Sequence, residues 1–295
     1  QAQGKLDEAE LYYREALEKR RRVLGAAHPD TLGSINNMGY LLQAQGKLTE
    51  AESFLREALE MLRRVMGDEN LNTLVAINNM GALFFAQGKV SEAEPYFREA
   101  IDVSRHVLGE EHHDTLRAMD NMAVVLRSQG RLSESETYCR ESLEKHRRVL
   151  GDEHPDTLMT IGNMGVLLQA LDKLSEAEPY LFEAMDSSRR VLGDENPITL
   201  RALNNLGSLL QAEGRLAEAE LYVREALEGR RRILGDEHPD TLIAIGNMGA
   251  LLQTQGKPIE TIELLAPAEP AVRQAFTGGN AVRLGRFLTS LGRAR

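Results

Sequence analysis

Apolar positions recur along this chain with two interlocking periods, one belonging to a helix and one to a repeated unit. Ile35, Met38, Leu41 and Leu42 fall at i, i+3, i+6 and i+7, the stripe of an amphipathic helix, and the stretch stops at Gln45-Gly46. This predicts a helix A closed by a C-cap glycine. A second stripe runs through Leu48, Ala51, Phe54, Leu55, Ala58, Leu59, Leu62 and Val65 and stops at Gly67. It predicts a helix B, with Arg63 and Arg64 in the last turn complementing its carbonyl end. Ahead of helix A, His28-Pro29-Asp30-Thr31 places a polar residue before the helix, proline in its first turn and an acid near its positive end. Asn196-Pro197 and His238-Pro239 repeat that design.

The larger period is 42 residues. Leu24-Gly25 returns as Met66-Gly67, Leu108-Gly109, Leu150-Gly151, Leu192-Gly193 and Leu234-Gly235, and the same step carries Gly46 to Gly88, Gly130, Asp172, Gly214 and Gly256. A unit of this length cannot bury its own apolar face, so the period implies a stacked array. Small residues stand where two helices must approach: Gly39, Gly81, Ala123, Gly165, Gly207 and Gly249 in helix A, and Ala51, Ala93, Ala177 and Ala219 in helix B. Phe54, Tyr96, Tyr138, Tyr180 and Tyr222 are the large residues expected to fill the space between neighbouring units. Helices of ~17 residues are ~25 Å long, so the expectation is a ribbon with a concave side lined mainly by A helices.

Both ends depart from the repeat. Gln1-Ala2-Gln3-Gly4-Lys5-Leu6 matches Gln43-Ala44-Gln45-Gly46-Lys47-Leu48, so the chain reads as opening at the end of a helix A, a segment of a longer protein. Pro267 and Pro270 occupy helix-interior positions of the last helix B, which must therefore end early or kink. Thr277-Gly278-Gly279 replaces the usual connector, and Gly285 and Gly292 repeat the spacing of Gly249 and Gly256, which predicts a seventh helix A serving as a cap. The expected organisation is residues 1–26 as the second helix of a truncated repeat, 27–278 as six hairpins with an atypical last one, and 279–295 as a capping helix.

The quoted motifs carry a resemblance. Asn37-Met38-Gly39, Gln45-Gly46-Lys47, Glu50-Ala51-Glu52 and Glu57-Ala58-Leu59 resemble the tetratricopeptide repeat. The long helix B ending Arg63-Arg64-Val65-Met66-Gly67, with the His154-Pro155-Asp156-Thr157 connector, resembles the 42-residue version found in kinesin light chains and their relatives. The resemblance covers nearly the whole chain and implies an all-α, right-handed superhelical solenoid of antiparallel helix hairpins. It also implies a function in protein binding and no enzymatic activity.

Composition narrows the partners. The formal charge of −10 repels phosphate backbones, which argues against nucleic acid. No apolar run approaches the ~20 residues that span a bilayer and no signal segment opens the chain, so the expected location is cytoplasmic and the expected state a monomer. Cys139 is the only cysteine, which excludes an internal disulfide and a cysteine-based zinc site. It replaces apolar residues in the series Tyr13, Leu55, Phe97, Leu181 and Val223 and reads as core. His28, His112, His113, His154 and His238 recur in connectors, but Asn70 and Asn196 fill the same slot and share a capping role, so no metal and no cofactor is expected. His106 and His146 read as exposed helix residues. The repeated Glu50 and Glu52 positions read as a solvated, hairpin-pairing face, since catalytic carboxylates occur once per site. No nucleophile triad, phosphate loop or dinucleotide motif is present.

The candidate binding residues lie on the expected concave face. Asn37, Asn79, Asn121, Asn163, Asn205 and Asn247 keep an amide at one helix A position at a cost in helix propensity. Two compatible explanations stand: each amide bonds across to the next hairpin, or the row holds the main chain of an extended ligand, since an amide both donates and accepts. The resemblance favours the second use as well, because related tetratricopeptide domains employ concave asparagines in that way. Neighbouring positions vary as a specificity surface would, among them Asn36, Tyr40, Asn78, Phe85, Arg117, Asp120, Arg127, Gln169, Arg201, Asn204, Gln211 and Gln253. Arg117, Arg127 and Arg201 are placed to pair with acids of a peptide, or with acidic neighbours such as Asp120. The function expected is an adaptor holding a peptide or partner protein. The alternatives are a structural spacer or assembly subunit, and the regulatory repeat region of a longer protein.

Overall fold

The computed structural model describes residues 2–276 and 281–294, and within them the chain is helical throughout with no strand. Helix α1 (Ala2–Leu24) precedes five regular hairpins: α2 (Pro29–Ala44) with α3 (Leu48–Met66), α4 (Leu71–Ala86) with α5 (Val90–Leu108), α6 (His113–Ser128) with α7 (Leu132–Leu150), α8 (Pro155–Ala170) with α9 (Leu174–Leu192), and α10 (Pro197–Ala212) with α11 (Leu216–Leu234). The chain ends with α12 (Pro239–Thr254), the short helices α13 (Pro258–Leu265) and α14 (Glu269–Ala275), and α15 (Ala281–Ala294). It divides into two compact units, Ala2–Tyr138 and Cys139–Arg295, with the boundary inside α7.

Each unit is an all-α solenoid of antiparallel hairpins. In the N-terminal unit α3 and α5 each pack on their own helix A and on the next one; in the C-terminal unit α9 and α11 do the same. The close approach within a hairpin depends on glycine. A Cβ built on Gly39 would lie 2.5 Å from Leu55 Cγ, and one on Gly165 would lie 2.6 Å from Leu181 Cγ, distances at which atoms overlap. Ile35, Met38, Leu42, Leu55 and Leu62 are completely buried, whereas Val65, the last member of the helix B stripe, is 44% exposed.

The helix ends explain the connectors. His28, His112, His154 and His238 each accept at Nδ1 the backbone N–H two residues on, at 3.2 Å. Asn70 and Asn196 accept the corresponding N–H at Oδ1, at 2.9 Å. Imidazole and amide thus do one job, satisfying an orphan donor of the first turn. At the other end of helix A, Gly46 N–H bonds to Gln43 O and Lys47 N–H to Leu42 O, both at 2.9 Å, with Gly46 at φ +77°. This is the Schellman closure, which needs a left-handed residue. Asp172 fills that slot at φ +60°, the only non-glycine with positive φ among the described residues. Asp172→Gly is therefore expected to raise the stability of the C-terminal unit by about 1 kcal/mol, and Asp172→Val to lower it, as read by thermal melting.

The last repeat breaks where its prolines stand. Pro267 lies in the gap between α13 and α14, and Pro270 sits in the first turn of α14, so one long helix B becomes two short ones. Helix α15 packs on α12 and α13. The connector Thr277-Gly278-Gly279 lies outside the described residues, as do Gln1 and Arg295.

Candidate partner-binding face

Consecutive A helices are neighbours within each unit, α2 with α4, α4 with α6 and α8 with α10. This sets the asparagine row in register, and the row proves to be a ladder. Asn79 Nδ2 donates to Asn36 Oδ1 at 3.2 Å and Asn121 Nδ2 to Asn78 Oδ1 at 3.1 Å in the N-terminal unit. In the C-terminal unit Asn247 Nδ2 donates to Asn204 Oδ1 at 2.8 Å. Each of these three amides thus reaches back, in the preceding helix A, to the residue one position before its own equivalent. A bond of this kind contributes about 1 kcal/mol, which offsets the propensity cost of asparagine.

The ladder treats its members differently. Asn78 and Asn79 are buried, 5% and 7% exposed, while Asn37 is exposed and Asn121, Asn163, Asn204, Asn205 and Asn247 are half-buried. Asn205 faces Gly162, which offers no side-chain oxygen; a Cβ on Gly162 would lie 4.0 Å from Asn205 Nδ2. The step that holds Asn79, Asn121 and Asn247 is therefore missing at Asn205.

Several residues read from the sequence as specificity positions also join A helices. Gln169 Nε2 donates to Ser208 O at 3.2 Å, Gln211 Nε2 to Thr254 Oγ1 at 3.1 Å and Gln253 Nε2 to Ser290 O at 2.7 Å. Phe85 is half-buried against the core of the N-terminal unit. Arg117 pairs with Asp114, 2.9 Å away and one turn earlier in α6. Arg127 and Arg201 are half-buried and have partners of their own.

The repeated acids of helix B are more organised than a solvated face. Glu94 accepts from Gln129 at 2.9 Å, from Arg131 at 2.8 Å and from Arg98 at 2.7 Å, which ties α5 to the turn of the next hairpin. Glu220 is held the same way by Arg224, Lys257 and Gln255, and Glu10 by Lys47 and Arg14. These bonds to cations hold the carboxyls of Glu10, Glu94 and Glu220 down at about 2. Further along, B helices are joined by Arg21 to Glu57 at 2.6 Å and by Arg147 to Glu183 at 2.7 Å, with Arg63–Glu99 and Arg189–Glu225 repeating the pair.

His146 corrects the sequence reading. It is 1% exposed rather than on the surface, with Nδ1 3.1 Å from Ser142 Oγ and 3.4 Å from Thr160 Oγ1. The reason is its slot: one repeat step relates it to Leu62, Ser104 and Ser188, all of which are buried. His106 is exposed and Cys139 is buried. Among the described residues no group of three or more His, Cys, Asp or Glu is placed to hold a metal ion, and no helix is long and apolar enough to cross a membrane.

A hairpin array held by ladders between its A helices and ion pairs between its B helices is a repeat scaffold. Family models of the tetratricopeptide repeat match residues 1–64, 31–106, 162–232 and 199–274, and a second such model matches 115–156. The chain belongs to the tetratricopeptide repeat family. No curated protein sequence matches it. Among solved structures, BtubC (BKLC) from P. vanneervenii is similar at 22% identity with a TM-score of 0.60, covering 78% of this chain and 92% of its own. The nearly identical TPR-like repeats of a candidate kinesin light chain from Podosopora anserina match at 20% identity with a TM-score of 0.55, over 70% of this chain and 97% of theirs. Rap protein complexed with Competence and Sporulation Factor matches at 14% identity with a TM-score of 0.62, over 100% of this chain and 89% of its own. The property shared with these structures is the fold.

Proposed function

We propose that the chain is a protein-interaction scaffold, and that the A-helix face of its C-terminal unit holds an extended segment of a partner. The observation that carries this reading is the opened rung at Asn205. In the ladder an amide spends its donor on the preceding helix; at Asn205 the facing residue is Gly162, and both donor and acceptor remain for a ligand main chain. Arg201 lies one turn before Asn205 on α10, and Asn163 and Asn247 stand at the matching positions of α8 and α12. Rap protein, similar in fold, is complexed with Competence and Sporulation Factor. A location in the cytoplasm and a monomeric state fit this role, and binding rather than catalysis fits acids that are consumed in structural pairs.

A second reading, a rigid spacer or assembly subunit, is favoured by the ion pairs that join successive B helices. Three exchanges separate the readings. Asn79→Ala removes a bonded rung and is expected to cost about 1 kcal/mol of stability. Asn205→Ala is expected to leave melting unchanged and to abolish capture from a library of extended peptides. Gly162→Asn supplies the missing oxygen, and is expected to raise the melting temperature while also abolishing capture. If peptides bind equally to the chain and to the folded Asn205→Ala and Gly162→Asn variants, or bind to none of them, the face is architecture alone.

A further inference from the structure

The regular stacking of B helices stops at α11. At the slot that holds Tyr96, Tyr180 and Tyr222 in earlier hairpins the last one has Leu264, and at the slot of Glu57, Glu99, Glu183 and Glu225 it has Pro267. The first exchange removes a ring. The second removes the carboxylate that would have paired with Arg231, which keeps only the bond to Asp236, at 2.8 Å, that Arg63, Arg147 and Arg189 also make with Asp68, Asp152 and Asp194. With α13 ending at Leu265 and the chain turning at Pro267 and Pro270, the flank of α11 loses the helix that covers its counterparts. What remains is a cleft of about 720 Å³ between α11, α12 and the α13–α14 bend.

The cleft has an apolar floor of Leu227, Ile245, Met248 and Leu264. Its rim carries Glu228, Glu237, Glu260 and Glu263, all exposed. The two cations of the rim are already taken, Arg231 by Asp236 and Arg224 by Glu220 at 2.6 Å. Among the described residues no cation pairs with the four glutamates. A volume of this size is that of a ligand site, and an apolar floor within a rim of net negative charge selects a segment with apolar anchors and the opposite charge. The space is left by a helix, and helix-in-groove docking reads anchors spaced i, i+3 or i+4.

We propose that this cleft binds a basic amphipathic helix of a partner protein, its apolar side chains on the floor and its lysines or arginines against Glu228, Glu237, Glu260 and Glu263. The site is separate from the asparagine face and stands or falls independently of it. The test is fluorescence anisotropy of the whole chain with a labelled peptide helix carrying leucines at i, i+3 and i+7 and lysines elsewhere, beside a scrambled peptide of identical composition. The expected result is binding of the amphipathic peptide at least tenfold tighter than of the scrambled one, weakening with salt. Glu260→Gln with Glu263→Gln, and separately the cleft-filling Ala268→Trp, are each expected to weaken it at least tenfold, while Asn205→Ala leaves it unchanged. Should Ala268→Trp fail to fold, the glutamine pair decides. Equal binding of both peptides, binding indifferent to the glutamine pair, or no binding at 100-fold excess of chain over probe overturns the proposal. Self-association abolished by the glutamine pair overturns it in favour of a second copy of the chain.

Discussion

Gly207→Val is expected to destabilise the C-terminal unit by about 3 kcal/mol, the larger part of what such a substitution costs in a close-packed interior. A Cβ at this position would stand 2.5 Å from Val223 Cγ2, 3.3 Å from the Ala219 carbonyl oxygen and 3.4 Å from the Val223 nitrogen. The last two are backbone atoms of α11, which move only if the helix moves. Opening the α10–α11 hairpin would also disturb α11 against α12, because each B helix serves two A helices. The gain in helix propensity on replacing glycine, at most about 1 kcal/mol, does not compensate. Gly162→Ala is the control. The same kind of atom there meets Ala184 Cβ at 3.7 Å and Asn205 Nδ2 at 4.0 Å, both ordinary contacts, so the propensity gain survives and stability is expected to rise by up to about 1 kcal/mol. Thermal and denaturant melting of the two variants checks the pair of signs. Because an array sums local terms, the unit around α10 and α11 should loosen before the rest, which amide exchange resolves. Equal melting temperatures for the two variants would mean that the glycines do not set the hairpin spacing.

The contrast between Gly207 and Gly162 shows how far a sequence can be read here. Gly207 lies in a series that recurs at one helix A position in nearly every hairpin, and a repeated small residue in an otherwise apolar stripe states its reason openly. Helix ends were equally legible, since Schellman glycines and capping residues are local chemistry: the stripe from Leu48 to Val65 became α3 to within a residue. Gly162 was silent because its meaning is relational. It matters only through Asn205, one helix away, and pairing between side chains 43 positions apart is not visible in either residue. His146 failed for a different reason. Taken alone an imidazole in a charged helix belongs on the surface; laid on the template beneath Leu62 it belongs in the core. Pro95 and Pro179 inside α5 and α9 leave no mark on the apolar pattern, since a proline at the sixth residue of a helix removes one early hydrogen bond and leaves the stripe intact. The Glu52 series was recognised as repeating, yet its partners Gln87 and Lys89 sit in the turn of the next hairpin, so its strength depends on stacking that periodicity implies without measuring.

Those inter-hairpin carboxylates make the chain sensitive to acid in a defined window. Glu10, Glu94 and Glu220 ionise at about 2 in the folded chain against 4.5 as ordinary carboxyls, chiefly through bonds donated by Lys47, Arg131 and Arg224 respectively. A folded value below the unfolded one means that the unfolded chain takes up protons first. The stabilisation is therefore fully present above pH 4.5 and is lost progressively as pH falls toward 2. At full strength such a displacement corresponds to about 3 kcal/mol per group; with the arginine and lysine partners partly in water, about 1 to 2 kcal/mol each is the expected contribution. Two of the three groups lie in the N-terminal unit, so that unit should weaken more steeply than the other as the solution is acidified. Glu94→Gln keeps an acceptor for Gln129 but removes the charge that Arg98 and Arg131 grip at 2.7 and 2.8 Å. It is expected to lower stability at pH 7 and to flatten the fall between pH 4.5 and 2, as followed by helicity and melting across that range. An unchanged slope in the variant would mean that the hairpins are held by their apolar interfaces alone, with the ion pairs lying on an array already fixed.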